Sequence, residues 1–110
     1  MKEFMLLMKG KHQLDYSPEE LQKRLEAYRH WANELGERHV SAQRLKPVGA
    51  KIQGSDHVEM DGPFLEAKEI IAGFTVILAE NLKDAIRIAM ECPLTEHFDI
   101  FVRPLIPPGQ

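Results

Sequence analysis

Ile70-Ile71-Ala72-Gly73-Phe74-Thr75-Val76-Ile77-Leu78-Ala79 is the most β-prone run of the chain. Strand alternation places Phe74, Val76 and Leu78 on one face and Thr75, Ile77 and Ala79 on the other. Both faces are therefore apolar, as in a strand that is covered on both sides. The Phe4-Met5-Leu6-Leu7-Met8 run within Lys2 to Lys9 has the same character and reads as the first strand.

Between these two strands lies a helix with clear ends. Ser17 is its N-cap, Pro18 occupies the first helical position and Glu20 follows three residues after the cap. Leu21, Leu25, Tyr28, Trp31, Ala32 and Leu35 recur at spacings of three and four, and Gly36 supplies the stop, so the helix spans Pro18 to Leu35. His39 to Leu45 and Val48 to Gln53 read as short strand segments around Lys46-Pro47, where Pro47 points to an edge or a bulge. A Gly54-Ser55-Asp56 turn leads to a His57 to Met60 strand and then to the tight Asp61-Gly62-Pro63-Phe64 turn. Beyond the Ile70 run, Asn81 caps a second helix with Leu82, Ala85, Ile86 and Ala89 expected to face inward, and Cys92-Pro93 ends it. Phe98 to Val102 is the last strand, and Pro104, Pro107, Pro108 and Gly109 make a polyproline-like tail.

The order β-α-β-(β)-β-α-β predicts an α+β fold, a ferredoxin-like sandwich in which each helix crosses over between neighbouring strands and packs on one side of a mostly antiparallel sheet. Two helices cover one face only. The second apolar face then calls for a partner sheet, most economically in a twofold homodimer, with any ligand cleft between the sheets or beside the helices.

The 110 residues suffice for one domain, 1–110, with 44% hydrophobic and 28% charged residues, an ordinary globular balance. The net charge of −3, from 14 basic and 17 acidic residues mixed along the chain, disfavours nucleic acid as a partner. The apolar run Phe4 to Met8 is too short for a signal-peptide core or a membrane span. A single cysteine, Cys92, excludes internal disulfides and multi-cysteine zinc sites, and the chain reads as cytoplasmic.

The segment Asp61-Gly62-Pro63-Phe64-Leu65-Glu66-Ala67-Lys68-Glu69, followed by Ile70-Ile71-Ala72-Gly73-Phe74, resembles the DGPF branch of the YCII-related family. The likeness continues through Asn81-Leu82-Lys83-Asp84-Ala85, Cys92-Pro93 and Val102-Arg103-Pro104. It implies a ferredoxin-like fold of the dimeric α/β-barrel type. Some members look like small enzymes with a His-Asp pair in a cleft, one branch dehalogenating a hydroxyquinone, while others resemble partners encoded beside alternative sigma factors. The usual double glycine is Ala72-Gly73 here, and His30 is the only histidine on the first helix that could stand for the family's helix histidine.

Asp61 is the leading catalytic candidate, a carboxylate held by an Asp-Gly-Pro turn where it can move a proton; the same residue type also serves as a turn staple through its own backbone. Phe64 would give a cleft an aromatic wall, and Lys68 and Glu69 would bring charge to it, Lys68 either holding an anion or pairing with Glu66 or Glu69. His97 and Asp99 stand two apart on one strand face, a spacing open to a His-Asp dyad. Arg103 points to the side shared by Asp99 and Phe101, where it could clamp a carboxylate. Tyr28 belongs to the inward stripe, its hydroxyl at the rim of the core. The five histidines show no close metal-ligand spacing, so no metal or cofactor is expected. Two functions stay open: a small enzyme doing acid-base chemistry of lyase or isomerase type on a small organic molecule, and a non-enzymatic dimeric binding or regulatory module.

Overall fold

The structure, a computed structural model, describes residues 1–11, 17–61 and 69–110, with Asp61 described by its backbone alone. Strand β1 (Lys2–Lys11) is followed by α1 (Pro18–Leu35), β2 (His39–Arg44), β3 (Gly49–Gln53), β4 (His57–Asp61), β5 (Glu69–Ala79), α2 (Leu82–Met90) and β6 (Asp99–Pro104). Helix α1 begins and ends where its caps require: the Glu20 amide donates to the Ser17 hydroxyl at 3.1 Å, and Gly36 closes the helix at a φ of 58°. Asn81 caps α2 in the same way, accepting from the Asp84 amide at 2.8 Å.

The main sheet has the order β2-β5-β1-β6 with every neighbouring pair antiparallel. This α+β arrangement is consistent with the ferredoxin-like fold expected from the chain order. It corrects one detail, since β5 lies between β1 and β2 and β1 lies between β5 and β6. Each helix thus carries the chain past an intervening strand rather than to a neighbour. The β3–β4 hairpin pairs only with itself, in a second, two-stranded sheet outside the main one.

The core fills one side of the sheet. Phe4, Leu6 and Met8 of β1 and Ile77 and Ala79 of β5 pack with Trp31 of α1 and Ala85, Ile88 and Ala89 of α2. Trp31 donates its indole N–H to the Ile88 carbonyl at 3.3 Å, tying the two helices together. The inward face of α2 differs from the expected one: Ile88 is buried, whereas Leu82 and Ile86 are exposed. Ala85, Ile88 and Ala89 form an i, i+3, i+4 set, and the small alanines let the helix sit close to the sheet. Arg38 staples this layer from its edge, donating Nε–H to the Leu78 carbonyl at 3.2 Å and its terminal nitrogen to Asp84 at 2.5 Å.

The opposite face is also apolar. Register brings Phe101, Leu7 and Phe74 into one row across the sheet and Arg103, Met5 and Val76 into the next. Val76 is 7% exposed yet is no part of the core cluster, and its cross-strand neighbours are Met5 and Ser41. The molecule is 18 Å through its thinnest dimension, room for one helical layer on one sheet. Among the described residues no helix is long and apolar enough to cross a membrane.

Candidate functional site

The apolar stripe of α1 closes on the sheet at one end only. Trp31 is buried, but Leu21, Leu25 and Tyr28, one to three turns earlier, remain partly open. They overhang a cleft of about 560 Å³ whose floor is β2 and β5 and whose far wall includes Leu94 and Phe98. That volume suits a small organic ligand.

Two backbone features shape the floor. A β-bulge leaves Ala72 as an extra residue of β5 between the Met8–Gly73 and Lys9–Ile71 pairs. Its carbonyl accepts from the Leu45 amide at 2.9 Å, holding the end of β2 against the bulge. Gly73 allows the same approach, since a Cβ there would stand 2.6 Å from the Gln43 carbonyl oxygen. Position 73 therefore has no room for a side chain, whereas alanine fits at position 72.

At the inner end, three polar side chains from three elements meet. The Tyr28 hydroxyl lies 2.8 Å from that of Thr75 on β5 and 2.9 Å from His39 Nε2 on β2. Thr75 is 1% exposed and is the buried polar residue among the described core positions. Tyr28 and Trp31 both meet the His39 ring edge-on, at centroid distances of 5.9 and 6.2 Å, which fixes the imidazole plane. Burial, only partly offset by the Thr75 hydrogen bond, raises the Tyr28 pKa above the ordinary 10.0. The phenol therefore keeps its proton at neutral pH and acts as a hydrogen-bonding group, with His39 beside it to take or return a proton.

The cleft is also cationic. Lys11, Arg24, Arg29 and Arg44 line it, and its described lining contains no aspartate or glutamate. The charge of Arg24 adds to burial in lowering the His97 pKa below 6.5, with Glu96 opposing.

Few of the residues expected from sequence stand here. His30 lies on the exposed side of α1, with its Nε2 2.5 Å from a Glu34 carboxylate oxygen. His97 does not share a strand with Asp99: it ends a 3-10 turn over Pro93–Glu96, and β6 begins only at Asp99. The same-face dyad is therefore not formed, because the turn twists His97 out of strand register before pairing begins. His97 instead lies 3.9 Å from Glu96. Glu69 opens β5 and pairs with Lys9 at 3.8 Å. Arg103 projects from the far face of the sheet, opposite Met5. The backbone of Asp61 closes β4, paired with Gly49, so its strand runs one residue further than expected. The Asp61 side chain and all of Gly62 to Lys68, including Phe64, Glu66 and Lys68, lie outside the described residues, as does Tyr16.

Cys92 is buried, and its thiol is pushed up to about 11 by that burial. Among the described residues no group of three or more histidine, cysteine, aspartate or glutamate side chains could hold a metal ion.

Residues 3–107 match the family model of the YCII-related domain. The chain belongs to the YCII-related domain family. No curated protein matches it. In this YCII-related domain every described residue that lines the cleft, from Met8 to Phe98, lies inside the matched span.

Proposed function

We propose that this YCII-related protein, of the DGPF branch, is a small dimeric enzyme performing acid-base chemistry of lyase or isomerase type on an organic molecule bound between α1 and the sheet. The observation that carries this reading is the Tyr28 hydroxyl at the inner end of the cleft, within hydrogen-bonding distance of both Thr75 and the imidazole of His39. A protonated phenol can donate to a substrate oxygen, and an imidazole behind it can exchange the proton that leaves. Asp61 would be the second proton-transfer group. It closes β4, and the segment that follows rejoins the described chain at Glu69, next to the cleft-lining Ile70. Phe64 and Lys68 belong to that segment.

The dimer would bury the uncovered sheet face, where Met5, Leu7, Phe74, Val76 and Leu78 share one side. Two such faces stacked at about 10 Å give the barrel-like sandwich expected of the family. A cytoplasmic location accords with the single buried thiol.

Solvent exchange tests the chemistry even while the substrate is unidentified. Enzymes of this type wash deuterium into an acidic C–H position of their substrate. A mixture of small organic acids and phenols is incubated in D₂O and followed by proton NMR. With the wild type, one compound should lose a C–H signal or convert, at a rate that falls at least 100-fold in Tyr28→Phe. If no compound exchanges or converts, the acid-base reading fails. The non-enzymatic binding module would then stand, a reading favoured by the fact that Tyr28, Thr75 and His39 already satisfy one another.

A further inference from the structure

We infer that the ligand of this cleft is an organic anion, a carboxylate on a compact and largely apolar body, with its charged end at Arg29 and Arg44 and its other end reaching the Tyr28 hydroxyl. This rests on the reading of the α1–sheet cleft as the ligand site, and it adds the chemical class of the ligand.

The argument begins with charge. The protein carries a net charge of −3, yet four of its 14 basic residues line this one cleft and no acidic residue does so among the described ones. The four come from three elements: Lys11 from the end of β1, Arg24 and Arg29 from α1 and Arg44 from β2. The fold itself, rather than a local run of sequence, gathers them. Like charges drawn together around a concave, low-dielectric surface repel one another, and a bound anion relieves that repulsion. Lys11, Arg29 and Arg44 make no ion pair within the described residues, unlike Arg38 and Arg87, which are both engaged by Asp84.

The apolar part of the lining sets the rest of the molecule. Leu21, Leu25, Leu94 and Phe98 offer hydrocarbon on both walls, so a simple inorganic anion would leave most of the cleft unfilled. Guanidinium groups match a planar carboxylate with two parallel hydrogen bonds, which a spherical anion cannot accept equally well. Arg44 adjoins the bulge region in register with Gly73, and Ala42 sits over Thr75, so a ligand anchored at Arg44 reaches toward the Tyr28 hydroxyl along β2.

The test uses matched pairs of equal shape and different charge: benzoate with benzamide, and cinnamate with cinnamamide. Each is titrated into the ¹⁵N-labelled full chain and followed by amide chemical shifts. The acids should move the resonances of Ala42, Arg44, Gly73 and Thr75, binding roughly tenfold or more tightly than the amides. Arg44→Gln and, separately, the exposed Arg29→Gln should each weaken the acids roughly tenfold while leaving the unliganded spectrum otherwise intact. Raised salt should weaken the acids and not the amides. If the amides bind as well as the acids, the anion assignment is overturned while the cleft survives as a ligand site. If neither acids nor amides move these resonances, the cleft reading falls and this inference falls with it.

Discussion

Ile77 and Val76 are adjacent in β5, both under 10% exposed, and they lie on opposite faces of the same sheet. Ile77 is sealed by two helices and belongs to a cluster that includes Leu6, Trp31 and Ile88. Val76 stands outside that cluster, beside Met5 across the strand pair. The two faces show that apolar alternation alone does not say what covers a strand. On one side the chain supplies its own cover and leaves a cleft where that cover lifts away. On the other side the described residues add no helix to the buried cluster, and the proposed dimer takes that place.

Truncation of each residue separates the faces. Ile77→Ala should cost about 2–5 kcal/mol, the range for a large aliphatic side chain lost from a sealed core. Its thermal midpoint should drop by the same amount at every protein concentration. Val76→Ala should cost less, roughly 1.5 kcal/mol from the methyl groups removed, and its loss should depend on concentration because part of it is loss of association. Equal, concentration-independent losses at both sites would mean that the second face needs no cover.

Tyr28→Phe comes next in size. It removes the hydroxyl that bridges Thr75 and His39 and should cost about 1 kcal/mol, a typical single hydrogen bond. Small as that is, it should abolish the proposed exchange chemistry, which would place function on the helix-covered face. A variant with unchanged turnover would move the site elsewhere, the Asp61 segment being the next candidate.

The smallest effect concerns the seating of α2. The Glu80 amide first, then Arg87 and Arg38, lower the Asp84 pKa from 3.8 to about 2. The folded value lies below the unfolded one, so ionised Asp84 stabilises the fold above about pH 4, and this stabilisation is lost as the pH falls toward 2. The difference in melting temperature between wild type and Asp84→Asn should therefore be largest at neutral pH and shrink across that acid window. A difference that stayed constant with pH would mean that the carboxylate's charge plays no part in holding α2 to the edge of the sheet.

The parts of the fold legible in the sequence are those specified locally. Ser17, Pro18 and Gly36 mark the ends of α1 by satisfying or terminating its own backbone. The long strand at Ile70 to Ala79 declares itself by composition. The face of α2 is not legible: Leu82, Ile86 and Ile88 are equally apolar, and only contact with the sheet selects Ile88. The last strand starts later than its apolar run suggests, because the turn after Pro93 runs through His97 before pairing begins at Asp99. The candidate site is the least legible. Tyr28 and Thr75 are 47 residues apart, and His39 lies 11 beyond Tyr28, so no motif joins them. One signal for it does stand in the sequence: Arg24 falls three residues after Leu21 and four before Tyr28, a cation on the stripe that faces the sheet.

The contrast between the two faces is tested most directly by the mass of the protein in solution. Sedimentation equilibrium on the wild type and on Leu7→Asp, a charge placed at the centre of the uncovered face, should give twice 12.6 kDa for the first and 12.6 kDa for the second, with unchanged circular dichroism. A wild type that remained at 12.6 kDa up to high concentration would contradict a covered second face.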